Sequence, residues 1–193
     1  MHDIEPHFRW RDQYIAAEDD RSPFYGRTYN EFQFTHKVYN YYIHPQWDAF
    51  GSATLYLKVL IVDYDEGYAI LELIGEWNDC LHNDIMHLKR EVVDQMLDEG
   101  IHRFICICEN VLNFHGEDDD YYEEWYEDIK EENGWIVFLN TLEHVEDEMR
   151  DTRLDHYTNF GSLFNGINWR PQKPKRIYEA IEGLLQQETK RVY

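Results

Sequence analysis

The sequence predicts an α/β domain on the border of α+β: a mixed sheet with antiparallel strands and a hairpin first, then a parallel βαβαβα run. Three observations carry that prediction. The run Ile101-His102-Arg103-Phe104-Ile105-Cys106-Ile107-Cys108 is short and nearly all apolar, as a strand buried on both faces reads. Two apolar runs, 54–62 and 68–75, are joined by Asp63-Tyr64-Asp65-Glu66-Gly67, which makes a hairpin. Beyond them, buried runs alternate with amphipathic helical segments, and helical crossovers imply parallel neighbours.

Residues 1–50 form an arm that packs on the main domain, 51–193. The arm holds 13 of the 31 aromatic residues, too many for a disordered tail. Ser22-Pro23 and Tyr25-Gly26 are turns. Phe32, Phe34, His36 and Val38 alternate with Gln33, Thr35 and Lys37, which predicts a strand that joins or covers the sheet. An aromatic surface for a partner is the alternative use of this arm. After the hairpin, a polar connection from Gly75 leads to Asn83, an N-cap for a helix with Ile85, Leu88, Val92, Met96 and Leu97 inward. Gly100 closes that helix, and the buried strand follows.

Tyr122, Trp125, Tyr126 and Ile129 stand at helical spacing, so residues 118–132 read as an amphipathic helix although ten of residues 117–132 are acidic. Acids in its first turn suit the helix dipole. Asn133-Gly134 stops it, and Trp135-Ile136-Val137-Phe138-Leu139 is a second buried strand. Thr141 caps a third helix with Leu142, Val145 and Met149 inward. His156-Tyr157-Thr158-Asn159-Phe160 is a candidate last strand. Pro174 opens a final helix with Ile177, Ile181, Leu184 and Leu185 on one face.

Composition excludes several functions. The 193 residues are 43% hydrophobic, enough for one cored domain plus an arm. No apolar run approaches the roughly 20 residues of a membrane helix, and the first residues lack the basic-then-apolar order of a secretory signal. Three cysteines without Cys-x-x-Cys give neither a disulfide framework nor a zinc ribbon. A reducing cytoplasm is the expected compartment. The net charge is -21, made of -24 over residues 1–149 and +3 over 150–193. Such a body repels phosphate backbones and disfavours nucleic acid, while a basic protein partner is permitted.

From about Leu55 to Leu185 the order of elements resembles the STAS domain of anti-sigma-factor antagonists. The likeness is strongest over Ile70–Asn110: a strand ending Ile74-Gly75-Glu76, a polar loop, a helix, then a buried strand. The chain as a whole also resembles an uncharacterised family of bacterial proteins. The STAS resemblance implies a non-enzymatic protein-interaction or regulatory module. That family carries a phosphorylatable serine in an Asp-Ser-x-Gly turn after its central strand. Here the region reads Glu109-Asn110-Val111-Leu112-Asn113-Phe114-His115-Gly116, without a serine, so the phospho-switch does not carry over.

Ligands of open sheets sit beyond the carboxyl ends of parallel strands. Three connections are expected there, and a ligand pocket would draw on Glu76, Trp77, Asn78, Asp79, Glu109, Asn110, His115 and His144. Imidazoles with carboxylates could ligate a metal or move protons, so a small metal-dependent hydrolase using Asp79, Glu109, His115 and His144 is the alternative function. No spaced metal motif, phosphate loop, nucleotide fingerprint or nucleophile elbow is present, and no cofactor is expected. The acidic helix is the expected partner surface, with Glu123, Glu124 and Glu127 outward.

Overall fold

The computed structural model of this protein describes residues 4–191. Its centre is a four-stranded sheet in the order β3-β4-β5-β6, from Leu55–Asp63, Tyr68–Asn78, Arg103–His115 and Trp135–Leu139. β3 and β4 are the antiparallel hairpin. β4, β5 and β6 run parallel, with Ile70 beside Ile105 and Ile105 beside Val137. Phe104 to Cys108 have no exposure at all, which is why that run carries no polar alternation.

The two faces bury different partners. Leu57, Leu71, Leu73, Trp77, Phe104, Cys106 and Phe138 lie under the helices that follow β4, β5 and β6. Ile70, Ile105, Ile107, Val137 and Leu139 lie under α6 (Pro174–Arg191), Trp169 and Trp10 of the arm. The arm is thus part of the core: Trp10 and Phe24 are buried on opposite faces. Pro174 opens α6, where its missing N–H leaves no helical bond unmade.

Several elements differ from the sequence expectation. The arm strand is not Phe32–Val38. Only β1 (Lys37–Val38) pairs, antiparallel with β2 (Tyr41–Tyr42), and Phe32 is 97% exposed. This ribbon stays separate from the main sheet and lays Val38 on Tyr56 and Ile74. The first long helix is three pieces: α1 (Asp79–His82), α2 (Asp84–Leu88), and α3 (Asp94–Asp98) joined to α2 by a π turn at Lys89–Val93. The extra residue in that turn lets Lys89, Val92 and Val93 all face inward. Asn83 does not cap by its side chain. It adopts φ 51° and ends α1 through its backbone.

α4 spans Asp120–Lys130 and buries Tyr122, Trp125 and Ile129. Thr141 does not cap α5 (Glu143–Asp151): Leu142 holds that position, and the Thr141 hydroxyl has no partner among the described residues. The last strand reduces to a single bridge. His156 ends a 3₁₀ turn, and Asn159 alone pairs with β6. Most consequential for function, β4 runs on to Asn78 and β5 to His115, past the end of β6 at Leu139. Two connections expected beyond the strand ends are therefore wholly or partly strand: past β6 the sheet continues as β3, β4 and β5 to Gly75, and only residues 76–78 with 113–115 project as a two-stranded ribbon.

Candidate functional site

The projecting ribbon separates the eight expected pocket residues. Trp77 is wholly buried among Phe114, Tyr122 and Phe138. Asp79, also buried, is saturated: Oδ1 accepts from Trp77 Nε1 at 3.0 Å and Ile85 N at 2.8 Å, and Oδ2 from the Tyr122 hydroxyl at 2.7 Å. Burial raises its pKa to about 6 in spite of these donors. Its work is to tie the end of β4 to α2 and α4. Asn78 caps α1, accepting from Leu81 N at 2.9 Å and donating to Glu76 at 3.1 Å. His115 is exposed and lies 3.6 Å from Glu76.

The remaining three point elsewhere. Glu109 accepts from Trp169 Nε1 at 3.3 Å and pairs with Arg170 on the opposite side of the sheet from Trp77. Asn110 faces a groove described below. His144, exposed, contacts the Leu112 carbonyl at 2.8 Å, where a bulge in the β4–β5 register leaves that oxygen outside the ladder. Among the described residues, no three histidine, cysteine or acidic side chains gather in metal-binding range.

The outward acids of α4 are partly engaged. Glu124 takes both arms of the Arg90 guanidinium, at 2.6 and 2.8 Å, and lies 3.6 Å from Lys89. Glu127 pairs with Lys130, and Glu123 is exposed. The fully buried Lys89 also meets Asp94 and Asp128, so the π turn carries a cationic plug against the acids of α3 and α4.

Two further features draw mainly on residues outside the expected eight. The first is an apolar groove of about 210 Å³ between the arm and the β4–β5 end of the sheet, floored by Val38, Ile43 and Ile74. Ile4, Tyr39, Tyr41 and Leu112 line it and are all more than a third exposed. Asn113 donates to the Tyr39 hydroxyl at 2.7 Å and holds the β1–β2 ribbon against β5. The aromatic richness of the arm was the signal for this surface; the pairing that brings Leu112 beside it was not visible.

The second is a charged seam in the middle of the sheet. Lys58 of β3 and Glu72 of β4 are register partners, both buried. Lys58 finds its counter-charge just before its own strand, and Glu72 in a distant segment. Lys58 Nζ lies 3.0 Å from Asp48, which is 1% exposed and accepts from Tyr29 at 2.7 Å. Glu72 accepts from the His7 backbone N at 2.8 Å and lies 3.5 Å from Arg170. Burial raises the Glu72 pKa to about 7 and lowers that of Lys58. His7 is held neutral, its pKa lowered to about 4 by burial and by the charge of Arg170, and it packs edge-on between Trp10 and Trp169.

No family model matches this sequence, and no curated protein matches it. Several solved structures are similar. One is the anti-sigma factor antagonist SpoIIAA in its unphosphorylated form, 11% identical, with TM-score 0.46 over 66% of this chain and 96% of that one. Another is the Bacillus cell fate determinant SpoIIAA in the phosphorylated form, 10% identical, TM-score 0.40, over 55% and 91%. A third is the NMR structure of the protein TM1081, 18% identical, TM-score 0.43, over 79% and 98%.

Proposed function

We propose that this chain is a non-enzymatic protein-interaction or regulatory module, and that its contact surface is the groove between the arm and the β4–β5 end of the sheet. One observation carries the reading. Four of the exposed large apolar side chains, Ile4, Tyr39, Tyr41 and Leu112, line the same small groove instead of being scattered. Contiguous exposed apolar surface marks interaction sites, and tyrosines are favoured there because they bury much area at little entropic cost. The occupant is a segment of a basic partner with an apolar anchor side chain. A chain of net charge -21 selects such a partner and speeds its arrival, while the groove supplies the affinity. Glu123, Glu124 and Glu127 of α4 belong to the steering field.

The test is a binding comparison with a partner captured from the native host, identified and purified. Tyr41→Asp with Leu112→Asp should weaken binding on the order of 10- to 100-fold while circular dichroism stays unchanged, since truncating interface anchors costs about 2 kcal/mol or more. Glu123→Gln, Glu124→Gln and Glu127→Gln together should slow association and flatten its salt dependence with little effect on dissociation. Wild-type affinity in the folded groove variant would remove the groove from the reading.

A further inference from the structure

We infer that the cavity between the arm and β3 binds a small organic oxyanion, a carboxylate or a phosphate. The cavity holds about 370 Å³, within the range of small-molecule sites, and shares no lining residue with the groove. Arg11, Arg27 and Lys58 stand in its wall, with Glu18 the one acid there among the described residues. Three cations around one cavity are unexpected in a chain of net charge -21.

Arg11 pairs with Glu5 at 3.2 Å, while Arg27 and Lys58 share one acid. Asp48 is the near acid for both Lys58 and Arg27. It takes Lys58 at 3.0 Å, and Arg27 comes no closer than 3.7 Å, outside hydrogen-bonding distance. Its Oδ1 is occupied by the Tyr29 hydroxyl at 2.7 Å. Asp48 thus serves two cations, and among the described residues Glu18 makes no ion pair with either. One of them is a buried ammonium whose burial outweighs its ion pair. An anion in the cavity would offset that desolvation. His7 shares the wall, and its buried Nε2 has no hydrogen-bond partner among the described residues. The planar fork of Arg27 matches a carboxylate or phosphate edge, and Tyr14 and Leu60 give the rest of an organic ligand an apolar flank.

The experiment is an NMR titration of the isotope-labelled chain at constant ionic strength, with inorganic phosphate in one series and citrate in the other. Saturable shifts of the backbone amides of Tyr29, Lys58, Val59 and Leu60, with a midpoint below about 10 mM, are expected for at least one anion. Whichever saturates assigns the headgroup. Arg27→Gln should weaken that binding about tenfold or more, the loss of a charge-assisted bond. It is the primary variant because Arg27 is half-exposed, whereas Lys58→Gln strands Asp48 and can unfold the region. No saturable shift with either anion, or saturable shifts that Arg27→Gln leaves unchanged, overturns the site.

Discussion

Glu72 shows what a single buried charge does to this molecule. Its folded pKa, about 7, lies above the ordinary carboxylate value of 4.5, so the folded state binds its proton more tightly than the unfolded one. The stability this confers is complete below about pH 4.5 and is lost as pH rises through about 7, on the order of 3 kcal/mol in all. Glu72→Gln removes that dependence. The stability of the variant relative to wild type should therefore climb between pH 4.5 and 8, read from urea unfolding at both ends of the window. His7 has the opposite sign: held neutral to about pH 4, it favours folding above its unfolded value of 6.5 and ceases to as the medium becomes acid. Taking the difference between variant and wild type isolates Glu72 from it. Gly75 is the other residue with a sharp consequence. It sits at φ 127°, and an added Cβ would meet the Thr54 carbonyl at 2.1 Å. Gly75→Ala should cost more than about 1 kcal/mol in a denaturation experiment. At this scale the sequence was half legible. Lys58 and Glu72 stand out as charges inside apolar runs, and a buried charge must find a partner. Asp48 lies only ten residues before Lys58, but nothing local names His7 or Arg170, which lie 65 and 98 residues from Glu72.

Elements were read best where the chain is buried on both faces. β5 and β6 follow from short apolar runs, and α4 from its stripe of Tyr122, Trp125, Tyr126 and Ile129 at helical spacing. Replacing Ile107, fully buried between Glu72 and Leu139 in the register, with Ala should cost about 2–5 kcal/mol in unfolding free energy. The strand ends were misread because β4 and β5 support each other beyond the sheet, and polar residues there alternate on a half-exposed ribbon that resembles a loop in sequence. The residues expected to meet in one pocket therefore divide among three places: Trp77 and Asp79 inside, Glu109 beside Trp169, His115 and His144 at the surface. The sheet edges are also managed locally. Asp48 bridges to Leu57 on β3, and Asn159 to β6, each too short to be heard in the sequence pattern. Asn159→Pro would delete its 2.9 Å bond to the Ile136 carbonyl and leave the β6 edge open. Light scattering on warming should then show aggregation at a lower temperature than wild type.

At the scale of the whole molecule, charge is the dominant field. With -21 spread over one small body, self-repulsion opposes the compact state, and ion pairs such as Lys89 with Asp94 and Asp128 relieve it only in places. Raising sodium chloride from about 0.02 to 0.3 M shortens the screening length several-fold and should raise the melting temperature, the reverse of what a fold held by surface salt bridges would show. No helix among the described residues is long and apolar enough to cross a membrane. The arm binds both sides of this body together. The Trp10 indole donates to the Gln172 carbonyl across 162 positions of sequence, at 3.1 Å, and stands edge-on to Trp169. During synthesis Trp10 must wait for Trp169 and Gln172 before it can dock. Until then Trp10 and His7 are exposed, and the central strand carries Glu72 without the His7 amide or the Arg170 guanidinium. The loop closed by that contact is nearly the whole chain, so docking should come after the sheet has formed. In refolding from urea it would register as a late change in tryptophan emission that follows the recovery of secondary structure.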